Sequence, residues 1–234
     1  MIRGGVDFGG KRLGTAAYRH QANVGGATIG AVTIGTYNTN YFDDDFLVVC
    51  AYNSNSTTLP VFTDTSYSNV TSAGTSLNYA HPSTALSVSI FHKFVPNGTV
   101  ASINITNASR IFTMFYSGID RTTPLTEVSF VSEAAGAGAS TVENGALLFT
   151  PQSGLLFPDP SMVVHFQALK GGASTGTLDA RLTQRAVRSA NVVELRAGDS
   201  NTVVSSWAAG AGSQTAASNN AYITTNLRLK VKNI

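Results

Sequence analysis

Four groupings of residues have types and spacings that suggest chemistry, and each lacks something its chemistry needs. Gly172-Ala173-Ser174-Thr175-Gly176 has the glycine spacing of a nucleophile elbow. That elbow sits between a strand and a helix and uses a histidine later in the chain. A strand is expected after this one, and no histidine follows His165, so it reads as a hairpin loop. Gly5-Val6-Asp7-Phe8-Gly9-Gly10-Lys11 has the glycines and lysine of a phosphate-binding loop. Arg12 stands where a hydroxyl would hold magnesium, Asp7 would repel phosphate, and too little chain precedes it for a strand.

The histidines His20, His81, His92 and His165 are scattered, without metal-ligand spacing. His92 falls on the apolar face of its strand and is expected as a hydrogen-bonded core residue. His165 lies, by parity, opposite Met162, Val164 and Phe166. Asp43, Asp44 and Asp45 are adjacent, so on an extended chain they point to alternate sides and converge poorly on a cation. They are expected as solvated carboxylates at the mouth of a strand, or as partners for a neighbour's basic residues. Glycoside hydrolysis needs two carboxylates flanking a cleft. Asp120, Glu127, Glu133, Glu143 and Asp159 are available, but a single tryptophan, Trp207, is present to line a cleft. The reading is therefore a non-enzyme with no catalytic, cofactor-binding or metal-binding residues.

The elements that would position any site are strands. Of 234 residues, 43% are hydrophobic and only 12% charged, against about 25% charged in an average soluble protein. A surface short of charge repels neighbours weakly and suits an assembly. The formal net charge of +2 is too mild for nucleic-acid binding. No apolar run reaches the length of a membrane helix. The lone Cys50 excludes an intrachain disulfide.

Residues 1–41 are rich in glycine and read as an extended N-terminal arm, with one expected strand in 27–35. Residues 42–234 read as one β-sandwich domain. Phe46 to Tyr52 is continuously apolar, as a buried strand is. Ser87 to Phe94 and Val100 to Thr106 alternate and flank Pro96-Asn97-Gly98, which reads as a hairpin turn. Arg110 to Tyr116 is apolar on both faces and should be central. Further strands are expected at 146–150, 162–169, 178–186, 192–196, 203–207 and 221–231. About eleven strands, no helix and many Gly/Asn/Ser turns give an all-β, jelly-roll-like sandwich. The tracts 134–140 and 208–218 read as low-complexity loops, and no true repeat is visible.

One stretch resembles a known pattern. It runs from Asp45-Phe46-Leu47-Val48-Val49 through Val88 to Phe94. It then reaches Phe115-Tyr116-Ser117-Gly118-Ile119-Asp120 with Thr123-Pro124-Leu125, and closes on Ala221 to Ile234. This is similar to uncharacterised β-sandwich virion proteins of tailed bacteriophages and prophages. The motif is structural: Gly118 lets the chain turn, Asp120 caps the turn and Pro124 restarts an extended segment. The resemblance implies a virion component and supplies no catalytic residues.

The expectation is a capsid decoration or cement protein, forming a homo-oligomer on the major capsid protein or other virion proteins. No nucleic-acid or membrane partner is expected. Arg3, Lys11, Arg12 and Arg19 in the arm, with Asp43, Asp44 and Asp45, are the candidate partner-binding residues. The alternative is a tail, baseplate or fibre component that binds a receptor or carbohydrate, with Tyr67, Tyr79 and Trp207 as candidate aromatic platforms.

Overall fold

Along Phe46 to Tyr52, every even-numbered side chain enters one apolar cluster and Leu47, Val49 and Ala51 enter another. A strand buried on both faces must be the middle layer of something thicker than a two-sheet sandwich. The computed structural model shows what. It describes residues 16–25, 31–33, 45–95, 102–133, 141–149, 161–170, 176–190, 193–214 and 221–232.

The chain is all-β, with sixteen strands and no helix among the described residues. The first eight are Ala17–Gly25 (β1), Ala31–Thr33 (β2), Asp45–Asn53 (β3), Val61–Phe62 (β4), Asn78–Ala80 (β5), Ser87–Val95 (β6), Ser102–Thr106 (β7) and Arg110–Ser117 (β8). The second eight are Leu125–Glu133 (β9), Thr141–Asn144 (β10), Ser161–Lys170 (β11), Gly176–Thr177 (β12), Thr183–Ala190 (β13), Val193–Asp199 (β14), Gly210–Gln214 (β15) and Ala221–Lys230 (β16).

Two five-stranded sheets, β1-β8-β3-β6-β5 and β13-β14-β11-β16-β9, form the middle layers. Two three-stranded sheets, β2-β7-β4 and β10-β15-β12, cover them on the outside. Adding eight to each strand number in the first half reproduces the second half, large sheet and small sheet alike. The chain is thus one jelly-roll-like winding made twice.

The registers repeat as well. A bulge leaves Arg19 unpaired opposite Tyr116 and Phe115, and another leaves Thr126 unpaired opposite Leu229 and Arg228. These pairings superpose Phe46 on Met162, Val48 on Val164 and His92 on Asp199. Along the nine residues of β3 only Val48 matches its counterpart in β11. That is why no repeat was visible in the sequence: the two strands share an apolar inner face but neither residue identity nor the pattern of the outer face.

The copies pack inner face to inner face. Phe46, Val48, Cys50, Ile90, Phe112 and Met114 of one meet Met162, Val164, Phe166, Leu195, Ile223 and Leu227 of the other in the largest core. Rims are exchanged, as an approximate twofold axis requires. Tyr18 of β1 lies under Arg185 of β13, and Tyr79 of β5 stacks on Phe130 of β9 at 5.2 Å.

Several expectations are corrected. Seven strands were not foreseen: β1, β4, β5, β9, β10, β12 and β15. Residues 17–25, read as arm, form an edge strand of the first large sheet through pairing with β8. β6 and β7 do not form a hairpin; β6 pairs with β3 and β5, and β7 with β2 and β4, because the chain crosses between layers there. Of the strands expected at 146–150 and 203–207, the described residues supply only isolated bridges, Leu147 to Trp207 and Val204 to Ser161. Gly210–Gln214, inside a tract read as loop, is strand β15. A Cβ on Gly212 would stand 2.1 Å from the Thr177 carbonyl, so only glycine lets this strand lie so close.

Phe166 is fully buried at the centre of the shared core. Phe166→Ala is expected to lower stability by about 3–5 kcal/mol, read from the midpoint of a urea denaturation curve.

Candidate functional site

Polar side chains inside an all-β block must be hydrogen-bonded or carry a high cost, so buried polar clusters are where a site is sought. The first lies on the seam between the copies. Asp199 is 0% exposed at the end of β14. Its carboxylate accepts Arg185 Nε and Nη2, both at 2.9 Å, the Asn201 backbone N–H at 2.8 Å and the Tyr116 hydroxyl at 3.2 Å. Arg185 is the bulged residue of β13, and the bulge turns its side chain toward Asp199. Its guanidinium covers the Tyr18 ring at 4.3 Å. Tyr18 and Tyr116 belong to the first copy and Asp199 and Arg185 to the second, so this network ties the halves together. Burial holds the Tyr116 phenol protonated, with the Asp199 charge adding to the effect.

At the twofold-related position His92 replaces Asp199. Its Nε2–H donates to the Val70 carbonyl at 2.9 Å, and burial lowers its pKa. Phe46 lies 5.2 Å and 5.0 Å from the His92 and Phe94 rings. Arg121 sits over Phe94, and Lys93 over Tyr67. Ser66, Ser68, His92, Phe94, Arg121 and Pro124 line an open crevice of about 410 Å³ there.

The third cluster is a buried polar layer between β11/β16 and the covering sheet β10-β15-β12. His165 donates Nδ1–H to Asn226 Oδ1 at 2.7 Å. Asn226 Nδ2 donates to the Gly145 carbonyl at 2.6 Å, Asn144 Nδ2 to Asp179 Oδ2 at 3.1 Å, and Arg181 Nε to Asp179 Oδ1 at 2.9 Å. Thr224 donates to the Glu143 carbonyl, and Glu194 receives the Gly176 N–H and pairs with Arg196. At the matching places the first copy has Val49 and Ala51 in an apolar cluster, where the second has His165 and Gln167.

The residues singled out in the sequence are placed as follows. Asp45 is buried, 1% exposed, opposite Val95 in a central strand. This corrects the expectation of a solvated carboxylate, because the sheet begins one residue earlier than the apolar run. Arg3, Lys11, Arg12, Asp43 and Asp44 lie outside the described residues, as do Ser174 and Asp159. Arg19 is described only as the backbone of the β1 bulge. His92 is a hydrogen-bonded core residue, and His165 faces away from Met162, Val164 and Phe166, both as expected. Tyr67 and Trp207 are buried and Tyr79 is half-buried, its hydroxyl bonded to Ser132 at 2.7 Å. None of the three is an exposed platform. Asp120 caps its turn by accepting the Thr122 and Thr123 N–H groups, and Gly118 has φ 72°. Glu127 accepts the Leu148 N–H. The described His, Cys, Asp and Glu residues form no group of three that could hold a metal ion.

The Asp199–Arg185 pair escaped the sequence reading. Its one local trace is the lapse in alternation around Gln184, where the bulge falls. No family model, curated protein or solved structure matches this chain.

Asp199→Asn leaves Arg185 charged beside a neutral amide and is expected to cost about 3–5 kcal/mol, with Asp199→Asn/Arg185→Met recovering part of the loss; thermal unfolding of the three proteins checks this. The Arg181 hydrogen bonds hold the Asp179 carboxyl down to about 2, below its ordinary 3.8. The folded chain thus binds fewer protons than the unfolded chain in that window. The contribution is present above pH 3.8 and lost as pH falls toward 2. In acid titrations followed by circular dichroism, Asp179→Asn is expected to flatten this limb alone.

Proposed function

We propose that this protein is a bacteriophage virion structural protein, decorating or cementing the outer capsid shell through contacts with the major capsid protein and with copies of itself. The observation that carries this reading is how the chain deploys its few charges. Asp179, Asp199 and Glu194 are all buried and each pairs with an arginine, half-buried for Asp199 and Glu194 and exposed for Asp179. With only 12% of its residues charged, the four-layer block has little charge with which to repel neighbours, a form suited to close contact with other chains. Asp64 and Asp120 cap turns and Glu127 accepts the Leu148 N–H, structural work that favours a scaffold over a catalyst.

The basic N-terminal segment with Arg3, Lys11 and Arg12 is the part that reaches neighbouring subunits. Removing residues 1–40 would also delete β1, so the informative truncation stops at residue 15. A chain lacking residues 1–15 is expected to keep the circular dichroism and melting temperature of the full chain and to lose incorporation into particles. Electron microscopy and gel analysis of purified virions read the outcome, and normal incorporation defeats the role given to the arm.

A further inference from the structure

The duplication provides an internal control. The two covering sheets occupy equivalent places and are held by different forces. In the first copy, Leu47, Val49, Ala51, Phe91 and Phe115 make an apolar seat that receives Phe62 of β4 and Ile105 of β7. In the second copy the apolar contacts are two small clusters, Val142 with Leu169 and Tyr222, and Leu147 with Val163 and Trp207. The rest of that interface is the polar layer whose middle member is His165.

His165 is poorly placed to carry charge. Nδ1–H is committed to Asn226, so the neutral ring leaves its lone pair on Nε2. Nε2 is buried and makes no hydrogen bond. The Gln167 amide nitrogen on the same face of β11 is also buried without a partner. A proton on Nε2 would put a cation there whose relief, from the Gln167 amide and the Asp179 charge, is outweighed by burial. The charged groups of the surrounding elements offer little relief. The acids are Glu127 and Glu133 on β9, Glu143 on β10, Asp179 after β12 and Glu194 on β14. The cations are Arg181 after β12, Arg196 on β14, and Arg228 and Lys230 on β16. Asp179 and Glu194 already pair with Arg181 and Arg196, and Glu127 accepts the Leu148 N–H.

We infer that the second covering sheet is an acid-released clasp: protonation of His165 breaks the His165–Asn226–Gly145 links and frees β10-β15-β12 while the apolar seat of the first copy holds β2-β7-β4 in place. Opening lets water solvate the imidazolium, which the closed layer cannot.

The direction is fixed by linkage. Burial lowers the His165 pKa below its ordinary 6.5. The open form therefore binds more protons than the closed form at any pH between those two values. Closure is at full strength above 6.5 and weakens as pH falls through that window.

Hydrogen exchange of the full-length protein between about pH 7 and about pH 5 tests the clasp, after correction for intrinsic amide rates. Amides of 141–144 and 210–214 are expected to exchange about tenfold faster for each pH unit inside the window, and amides of 102–106 to stay unchanged. Trp207, the single tryptophan, packs in this layer, and its fluorescence should shift over the same range. His165→Val, the residue found at the matching place in the first copy, should abolish both responses. Equal responses of the two covering sheets, no response, or a transition that survives in His165→Val would each overturn the inference. The comparison of the two sheets in the unmodified protein decides the matter even if the variant folds poorly.

Discussion

The inner faces of two five-stranded sheets have only each other to lie against. Nearly every large side chain in the main core comes from one of them: Phe46, Tyr52, Ile90, Phe112 and Tyr116 on one side, Phe166, Leu195, Ile223 and Leu229 on the other. Burying apolar area at about 25 cal/mol per Å² is the dominant favourable contribution to a fold of this kind. Neither copy can complete that burial alone. The central strands β3 and β11 carry the consequence, being covered on both faces. Each large sheet then needs a second cover on its outside, which is why the small sheets exist.

That constraint was legible in the sequence wherever a run was continuously apolar or strongly alternating. Phe46 to Tyr52, Ser87 to Phe94, Arg110 to Tyr116 and the closing run from Ala221 announced strands, and all four are central or next to central. Strands at the rims and in the covers were hidden for physical reasons. β4 and β12 are two residues long, too short to show any period. β15 reads Gly-Ala-Gly-Ser-Gln, and at Gly210 and Gly212 its neighbours leave no room for a Cβ. β9 has partly exposed residues along most of its length, so both of its faces mix polar and apolar types.

The polar clusters were less legible still, because they depend on contacts far apart in the chain. Tyr116 and Asp199 are 83 residues apart, and His165 and Asn226 are 61 apart. Parity correctly set His165 apart from the apolar face of its strand, yet it could not reveal a covering sheet that buries the other face too. Once duplicated, the winding was free to diverge. One copy has an apolar outer seat and the other has amides, a histidine and paired charges, so one backbone arrangement supports two interfaces with different chemistry.

The connection between the copies has its own consequence. Residues 118–124, which carry the Gly118-Ile119-Asp120 turn and Pro124, do not run free from β8 to β9. The Asp120 N–H bonds the Lys230 carbonyl, the Lys230 N–H bonds the Pro124 carbonyl and the Lys232 N–H bonds the Gly118 carbonyl. Ile119 bridges Val231. The tether is zipped to the tail of the second copy, so it has no slack with which to hinge. Trading halves between two molecules would first have to break these bonds, so the linker favours the closed, self-contained pair within one chain.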